Sequence, residues 1–261
     1  MARSFGVIWL CLGLLALPAC TDPARERFEA AEKALLEQKM ESALAGYRSI
    51  PKEFPQSRYA PIALLRQGGL FGSFFRNYPA ALEAYESLVF NYPRAAEAPQ
   101  ALLRQGEIHL LHFLDYAAAA EDLESIRRQF PRFAEMDEVL LLLAKAYGGM
   151  ADPSRQVAAL SELTERFPDF PRAAEGRWML AYAYLAQGKF FEADREFRKL
   201  FYLVSDRKAI TRARWGMAQA LEGSGQLGAA VEQYEAIRND WEDPAYVAEK
   251  IDRLKKRMKA R

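Results

Sequence analysis

A repeat of 37 or 38 residues limits what this sequence can fold into more than any other feature. A step from an aromatic residue to proline recurs with this interval at Phe54, Tyr92, Phe130 and Phe167. Apolar side chains precede each step by four and by seven residues, which is the spacing of one helical face. Because proline pushes the preceding residue out of helical geometry, each helix should end there. Two further units continue the apolar register without the proline, so that its first position falls at Tyr47, Tyr85, Leu123, Leu160, Phe197 and Tyr234.

A second helix is predicted ahead of this one in every unit. Its mark is a small residue, which in the last five units has a large apolar residue three positions before it. A small side chain lets two helices approach closely, and the large ones fill the groove between them. Each unit is therefore predicted to be a helical hairpin. The small positions are assigned to Ala30, Gly68, Gly106, Ala144, Ala181 and Ala218.

The fifth unit, "LAYAYLAQGKFFEADREF", resembles the tetratricopeptide repeat (TPR) family, with Ala181, Tyr184, Gly188 and Ala193 at the family's offsets. The resemblance implies an all-α fold, a right-handed superhelical solenoid of helical hairpins. Six hairpins are expected over residues 24–243, followed by a basic C-terminal capping helix over residues 244–261. Asp243 and Pro244 suit the start of that helix. Its basic face has an alternative interpretation as a docking site for an acidic partner or an anionic head group.

The stretch "GSGQLG", residues 223–228, matches the G-x-G-x-x-G pattern of dinucleotide-binding proteins. That pattern binds phosphate only where a strand enters it and a helix leaves it. Here a helix is predicted on both sides, and Gly225 aligns with Gly188 of the preceding unit. We therefore interpret the glycines as the turn of a hairpin.

The first nineteen residues are predicted to be a signal peptide. Arg3 precedes an uncharged, mostly apolar run from Phe5 to Leu17, which is too short for a comfortable membrane span, although a transmembrane anchor is the alternative. The run ends in "LPAC", which resembles the lipobox of bacterial lipoproteins. That resemblance implies lipidation of Cys20, with residues 20–23 as the lipidated N-terminus and a short linker, and Thr21 at the second mature position implies sorting to the outer membrane.

Composition and residue placement argue against catalysis and against bound cofactors. The only cysteines are Cys11 and Cys20, so the remainder of the chain has no disulfide, thiolate ligand or cysteine nucleophile. With 36 basic and 35 acidic residues, the chain has no overall charge that favours nucleic acid. His109 and His112 have a chelating spacing but lack further ligands, and we interpret them as a packing and a surface histidine. We predict no enzyme activity, no metal, no cofactor and no small-molecule substrate.

In the TPR family the first helix of each hairpin lines a concave surface, which the resemblance carries to this chain as a groove for partner proteins or peptides. Within it, Trp178, Tyr182, Arg212 and Trp215 are predicted to form one contiguous patch, because aromatic residues and arginine are frequent binding hot spots. The alternative for the two tryptophans is packing between helices. The complete predicted groove is Leu65, Leu103, Glu107, Leu141, Lys145, Trp178, Tyr182, Arg212, Trp215 and Gln219.

A chain that joins a lipid anchor to such a solenoid resembles the BamD family, the tetratricopeptide lipoproteins of outer-membrane β-barrel assembly. Segments such as "FPQSRYAPIAL" and "YPRAAEAPQAL" add to the likeness. It implies a non-enzymatic scaffold on the periplasmic face of the outer membrane, with envelope proteins or peptides as partners, among them a β-barrel assembly complex. The alternative function is a scaffold of a secretion, pilus or cell-wall synthesis system.

Overall fold

The computed structural model describes residues 22–260, which contain helices and no strands. The predicted signal peptide and Cys20 lie outside these residues. The chain divides into two compact units, with the boundary between Gln67 and Gly68 in the third helix. The helices are α1 (Pro23–Leu36), α2 (Met40–Glu53), α3 (Tyr59–Ser73), α4 (Tyr78–Asn91), α5 (Ala98–Ile108) with a π-helix (His109–Phe113), α6 (Tyr116–Gln129), α7 (Met136–Gly149), α8 (Pro153–Arg166), α9 (Ala173–Ala186), α10 (Phe190–Leu200), α11 (Arg207–Gly223), α12 (Leu227–Ile237) and α13 (Pro244–Lys259).

The aromatic-proline step ends the second helix of four hairpins, as predicted. Helices α2, α4, α6 and α8 each have 14 residues and stop directly before the aromatic residue. That residue has φ between −128° and −131°, outside the helical region, and its amide still donates to the carbonyl four residues back. Helices α10 and α12 have no such proline and are 11 residues long. The step therefore marks the end of each 14-residue second helix.

The repeated apolar positions form the core. In the second compact unit, which begins at Gly68, four of these positions have 0% of their surface exposed: Leu123, Leu160, Phe197 and Tyr234. Successive helices share these side chains, with one buried cluster from α5 to α9, another over α9, α10 and α11, and a third over α11, α12 and α13. This consecutive packing confirms the predicted all-α hairpin architecture.

Helix α13 buries one apolar face and leaves the other polar. Val247, Ile251 and Leu254 join the core of the last hairpin. The carboxylate of Asp243 accepts hydrogen bonds from the amides of Ala245 and Tyr246, both at 3.0 Å, and so caps the helix start. The helix covers apolar surface at the end of the hairpin array, as a capping helix must.

Close approach of helices at the small positions is confirmed in the second compact unit. The small position assigned in the first hairpin is wrong. A Cβ on Gly68 would lie 2.4 Å from the ring of Tyr85, so only glycine fits there. In the first hairpin Ala30 is exposed, whereas Ala31 is buried and packs against Gly46. The sequence register was one residue out, because hairpins differ by one residue in the turn between their two helices.

That extra residue sits in a π-type turn at the end of the first helix. In the third hairpin, the π-helix widens the last turn of α5. In the second hairpin, at the end of α3, the amide of Phe75 donates a π-type hydrogen bond to the carbonyl of Leu70, five residues back. A left-handed residue then follows in every hairpin, with φ between 53° and 79°. In "GSGQLG" it is Gly225, which joins α11 to α12, so the stretch lacks the strand that phosphate binding requires. The six left-handed residues are Gln38, Arg76, Leu114, Ala151, Gly188 and Gly225.

Candidate partner-binding site

A cleft of about 620 Å³ opens between the first helices of the fifth and sixth hairpins, α9 and α11. The four residues predicted to form one patch all line this cleft, which we call the aromatic cleft. The repeat pattern predicts that these residues lie together but does not predict a cavity. The structure shows that they line one. The lining residues are Trp178, Tyr182, Asp206, Lys208, Ala209, Arg212, Trp215 and Trp241.

Helix α9 supplies one wall. Trp178 and Tyr182 are four residues apart and therefore share a helical face. Their rings stack with 5.9 Å between centroids and 15° between planes. Both rings also stand edge-on to the buried ring of Phe197 in α10, at 5.8 and 5.2 Å. Burial raises the pKa of Tyr182, and the neighbouring Arg212 opposes this rise. The buried ring of Phe197 thus supports both side chains of this wall, while Tyr182 stays 43% exposed.

Helix α11 supplies the opposite wall. Asp206 caps its start by accepting a hydrogen bond from the amide of Ala209 at 2.9 Å. Lys208, Arg212 and Trp215 follow on successive turns of one face. The ring of Trp215 stacks on Trp241 with centroids 4.3 Å apart and planes at 15°. The cleft therefore has two pairs of parallel aromatic rings with two cations on one wall.

The two cations of the cleft have no anionic partner within residues 22–260. Neither Lys208 nor Arg212 makes an ion pair or a side-chain hydrogen bond there. Charged side chains on the first helices of the central hairpins do pair. Lys145 lies 2.8 Å from Glu175, and Glu107 lies 2.6 Å from Arg104. The aromatic cleft consequently keeps unneutralised positive charge, whereas Arg104 of α5 and Lys145 of α7 are ion-paired.

The remaining predicted groove residues have varied surroundings. Leu103 and Leu141 are 0% exposed, so the prediction that they line an accessible groove is wrong: both belong to the core. Glu107 and Lys145 are half-buried and ion-paired. Gln219 continues the inner face of α11 but does not line the cleft. Leu65 lies in the first compact unit and is half-buried.

Sequence reasoning missed Lys208 and Trp241 as members of the site. Lys208 lies one turn before Arg212 on the same face, so the helical spacing alone was a usable signal. Trp241 falls at the repeat position at which four other hairpins carry the aromatic-proline step. Helix α12 ends at Ile237, four residues before Trp241, and the ring of Trp241 stacks on that of Trp215.

The basic residues of α13 are largely paired. Lys255 lies 2.6 Å from Glu235, Lys250 lies 3.0 Å from Glu222, and Arg257 lies 3.3 Å from the same carboxylate. These contacts tie α13 to the last hairpin. They leave less free positive charge for an acidic partner than the sequence suggests, and they favour the capping role.

A second cavity, of about 470 Å³, lies beside the π-helix. His112 lines it and stacks on Tyr78 with centroids 3.7 Å apart, while Nδ1 of His109 lies 2.8 Å from the carboxylate of Asp122. Burial raises the pKa of Asp122 to about 6, against the effect of His109. The two histidines thus have different neighbours. No cluster of three His, Cys, Asp or Glu side chains within residues 22–260 is arranged to hold a metal ion.

Comparison with known proteins finds one family profile that matches part of the chain and many solved structures that are similar to it. The profile of the YfiO family, described as an outer membrane lipoprotein, matches residues 110–214. No curated relative matches the sequence. A tetratricopeptide repeat protein from Parabacteroides merdae superposes with a TM-score of 0.57 at 16% identity, over 89% of this chain and 86% of that one.

The chain has the tetratricopeptide repeat fold.

Two further solved structures superpose with similar scores. PilW, described as a type IV pilus biogenesis factor, has a TM-score of 0.52 at 15% identity, over 86% of this chain and 98% of its own. PilF from Pseudomonas aeruginosa has a TM-score of 0.54 at 13% identity, over 84% and 91%. At these identities the likeness concerns the TPR fold. Over residues 110–214 the chain also resembles the YfiO lipoproteins, the BamD-like family. No helix within residues 22–260 has both the length and the apolar character of a membrane span.

Proposed function

We propose that this TPR protein is a non-enzymatic scaffold of the bacterial envelope, which captures a segment of a partner protein in the aromatic cleft. The observation that carries the proposal is the cleft itself, which is lined by two pairs of stacked aromatic rings and by two cations that have no anionic partner within residues 22–260. Large aromatic residues and arginine in a central pocket are the residue types that dominate binding energy in protein interfaces. The match of residues 110–214 to an outer membrane lipoprotein family supports the outer membrane as the site of this proposed function.

Two substitutions test whether the cleft captures the partner. Tyr182→Ala and Arg212→Ala should each weaken binding by more than about 1 kcal/mol, the usual threshold of a hot spot. Folding should be little changed, because both side chains are exposed at one end. The measurement is the affinity for the protein that co-purifies with the wild-type chain from detergent-solubilised membranes, alongside thermal melts.

Matched controls lie outside the cleft. Tyr202→Ala removes a tyrosine that is 91% exposed, and Arg198→Ala removes an exposed arginine from α10. Both should bind as wild type does. If Tyr182→Ala and Arg212→Ala bind like these controls, the aromatic cleft is not the capture site.

The identity of that partner separates the two envelope functions. A β-barrel assembly protein would support outer-membrane protein assembly, which the family match favours. A secretin, a pilus protein or a cell-wall synthase would support the alternative scaffold.

We further propose that Cys20 carries the lipid that anchors the chain to the periplasmic face of the outer membrane. Two or more acyl chains on one cysteine are sufficient for stable anchoring. Cys20→Ala should therefore move the protein into the soluble periplasmic fraction or stop its processing. Fractionation with outer membranes as for wild type, at high salt and without a bound partner, would argue against the anchor.

A further inference from the structure

We propose that the aromatic cleft selects an extended, acidic-aromatic segment, in which an aromatic side chain lies next to aspartate or glutamate. This inference rests on the proposed function and adds the chemistry of the ligand. The occupant is an internal segment of a partner protein, because a cleft of about 620 Å³ has room for a few side chains and not for a folded domain.

Charge gives the acidic half of the preference. Lys208 and Arg212 have no anionic partner within residues 22–260, and two carboxylates that line cavities with them, Asp206 and Asp240, are already engaged. Asp206 caps α11 through the amide of Ala209. Asp240 accepts a hydrogen bond from Arg207 at 2.5 Å. A carboxylate of the ligand would therefore meet two free cations one helical turn apart, and such charge-assisted hydrogen bonds are stronger than neutral ones.

The cations also border an adjoining cavity of about 310 Å³, which contains one more carboxylate. Glu242 lines that cavity together with Lys208 and Arg212, but it does not line the aromatic cleft. Glu242 can therefore compete for the cations from the adjoining cavity. Among the residues that line the aromatic cleft, the capped Asp206 is the only carboxylate that an incoming carboxylate would meet.

Ring geometry gives the aromatic half. Trp178 lies parallel to Tyr182, and Trp215 lies parallel to Trp241, with 15° between planes in both pairs. Stacked pairs present flat faces and edges to a third ring, and aromatic side chains prefer such offset or edge-to-face contacts. Tyr182 remains 43% exposed and is available for this contact.

The tryptophans of the chain make the cleft directly observable. The sequence has four tryptophans, of which Trp9 lies in the predicted signal peptide and the other three, Trp178, Trp215 and Trp241, line the cleft. In the full chain carrying Trp9→Phe, intrinsic tryptophan fluorescence reports only from the cleft. Titration with peptides free of tryptophan then measures binding at this site.

Three peptide libraries test the chemistry. All are nonapeptides with blocked ends and degenerate flanks, and their centres read aspartate-phenylalanine-aspartate, lysine-phenylalanine-lysine and aspartate-alanine-aspartate. The first should bind with a dissociation constant at least about tenfold lower than either of the others. Lys208→Ala/Arg212→Ala should abolish the difference between the first two libraries, because it removes the charges that distinguish them. The charge-matched control Lys256→Ala/Lys259→Ala, on α13, should preserve that difference.

Equal or tighter binding of the lysine library, or a fluorescence change with none of the three, would overturn the acidic-aromatic preference. The proposed function would then still stand if Tyr182→Ala weakened capture of the native partner. If that variant also captured the partner normally, both the site and its ligand chemistry would be wrong.

Discussion

Phe197→Ala is expected to lower the free energy of unfolding by about 3–5 kcal/mol, the usual loss for a buried phenylalanine. The side chain is 0% exposed and lies at the junction of three helices, α9, α10 and α11. The adjoining helix leaves room for the ring through Gly216, where a Cβ would lie 2.3 Å from it. Removal of the ring would therefore open a cavity between closely packed backbones, which can collapse only in part. Chemical denaturation followed by circular dichroism measures the loss.

The same helix offers a matched control. Phe191 is 74% exposed, and Phe191→Ala should change stability by no more than about 0.5 kcal/mol. Equal stability of the two variants would show that the repeat register places the wrong face of α10 in the core. Phe197 also supports Trp178 and Tyr182 from behind, so partner affinity should fall with stability in Phe197→Ala but not in Phe191→Ala.

Glu196→Ala is expected to cost about 3–5 kcal/mol, because it removes one partner of a buried ion pair. The Glu196 side chain is 3% exposed and accepts a hydrogen bond at 2.8 Å from Arg177, whose side chain is 13% exposed. Lys199 also donates to Glu196, at 2.7 Å. Without the carboxylate, the guanidinium of Arg177 stays buried beside α10 with no anion.

A double substitution separates the cost of an orphaned charge from the value of the pair. Arg177→Met/Glu196→Met should recover most of the lost stability, because apolar residues of similar volume commonly replace a buried pair at little cost. Glu29→Ala, in an exposed pair with Arg25, should cost at most about 0.5 kcal/mol. A Glu196→Ala variant as stable as Glu29→Ala would contradict the burial of this pair.

The hairpins were predictable because their signals are local and repeat. Apolar positions three and four residues apart, and a proline after the last of them, define the second helix without knowledge of any distant contact. The first-hairpin small position was not predictable in this way. A shift by one residue exchanges Ala30 for Ala31, and two adjacent alanines give a sequence pattern no means of choosing between them.

The site was predictable in part. The spacing along α9 and α11 placed Trp178, Tyr182, Arg212 and Trp215 together, whereas Leu103 and Leu141 at the same repeat position are core. Leucine is small enough to be enclosed between packed helices, but the larger tryptophan ring extends to the surface. Free and paired cations could not be told apart, because pairing reaches across hairpins: Arg172 binds Glu138, 34 residues away.

The π-type turn lets hairpins of two lengths coexist in one array. The interval from the buried position of one hairpin to the small position of the next is 21 residues at Leu123–Ala144, Leu160–Ala181 and Phe197–Ala218. Within hairpins the matching interval is 17 residues at Gly106–Leu123 but 16 at Ala144–Leu160. A one-residue insertion is thus absorbed inside the module that contains it. The 21-residue interval to the next hairpin stays the same. Duplication or exchange of hairpins of either length therefore leaves the apolar face of every following helix directed at the core.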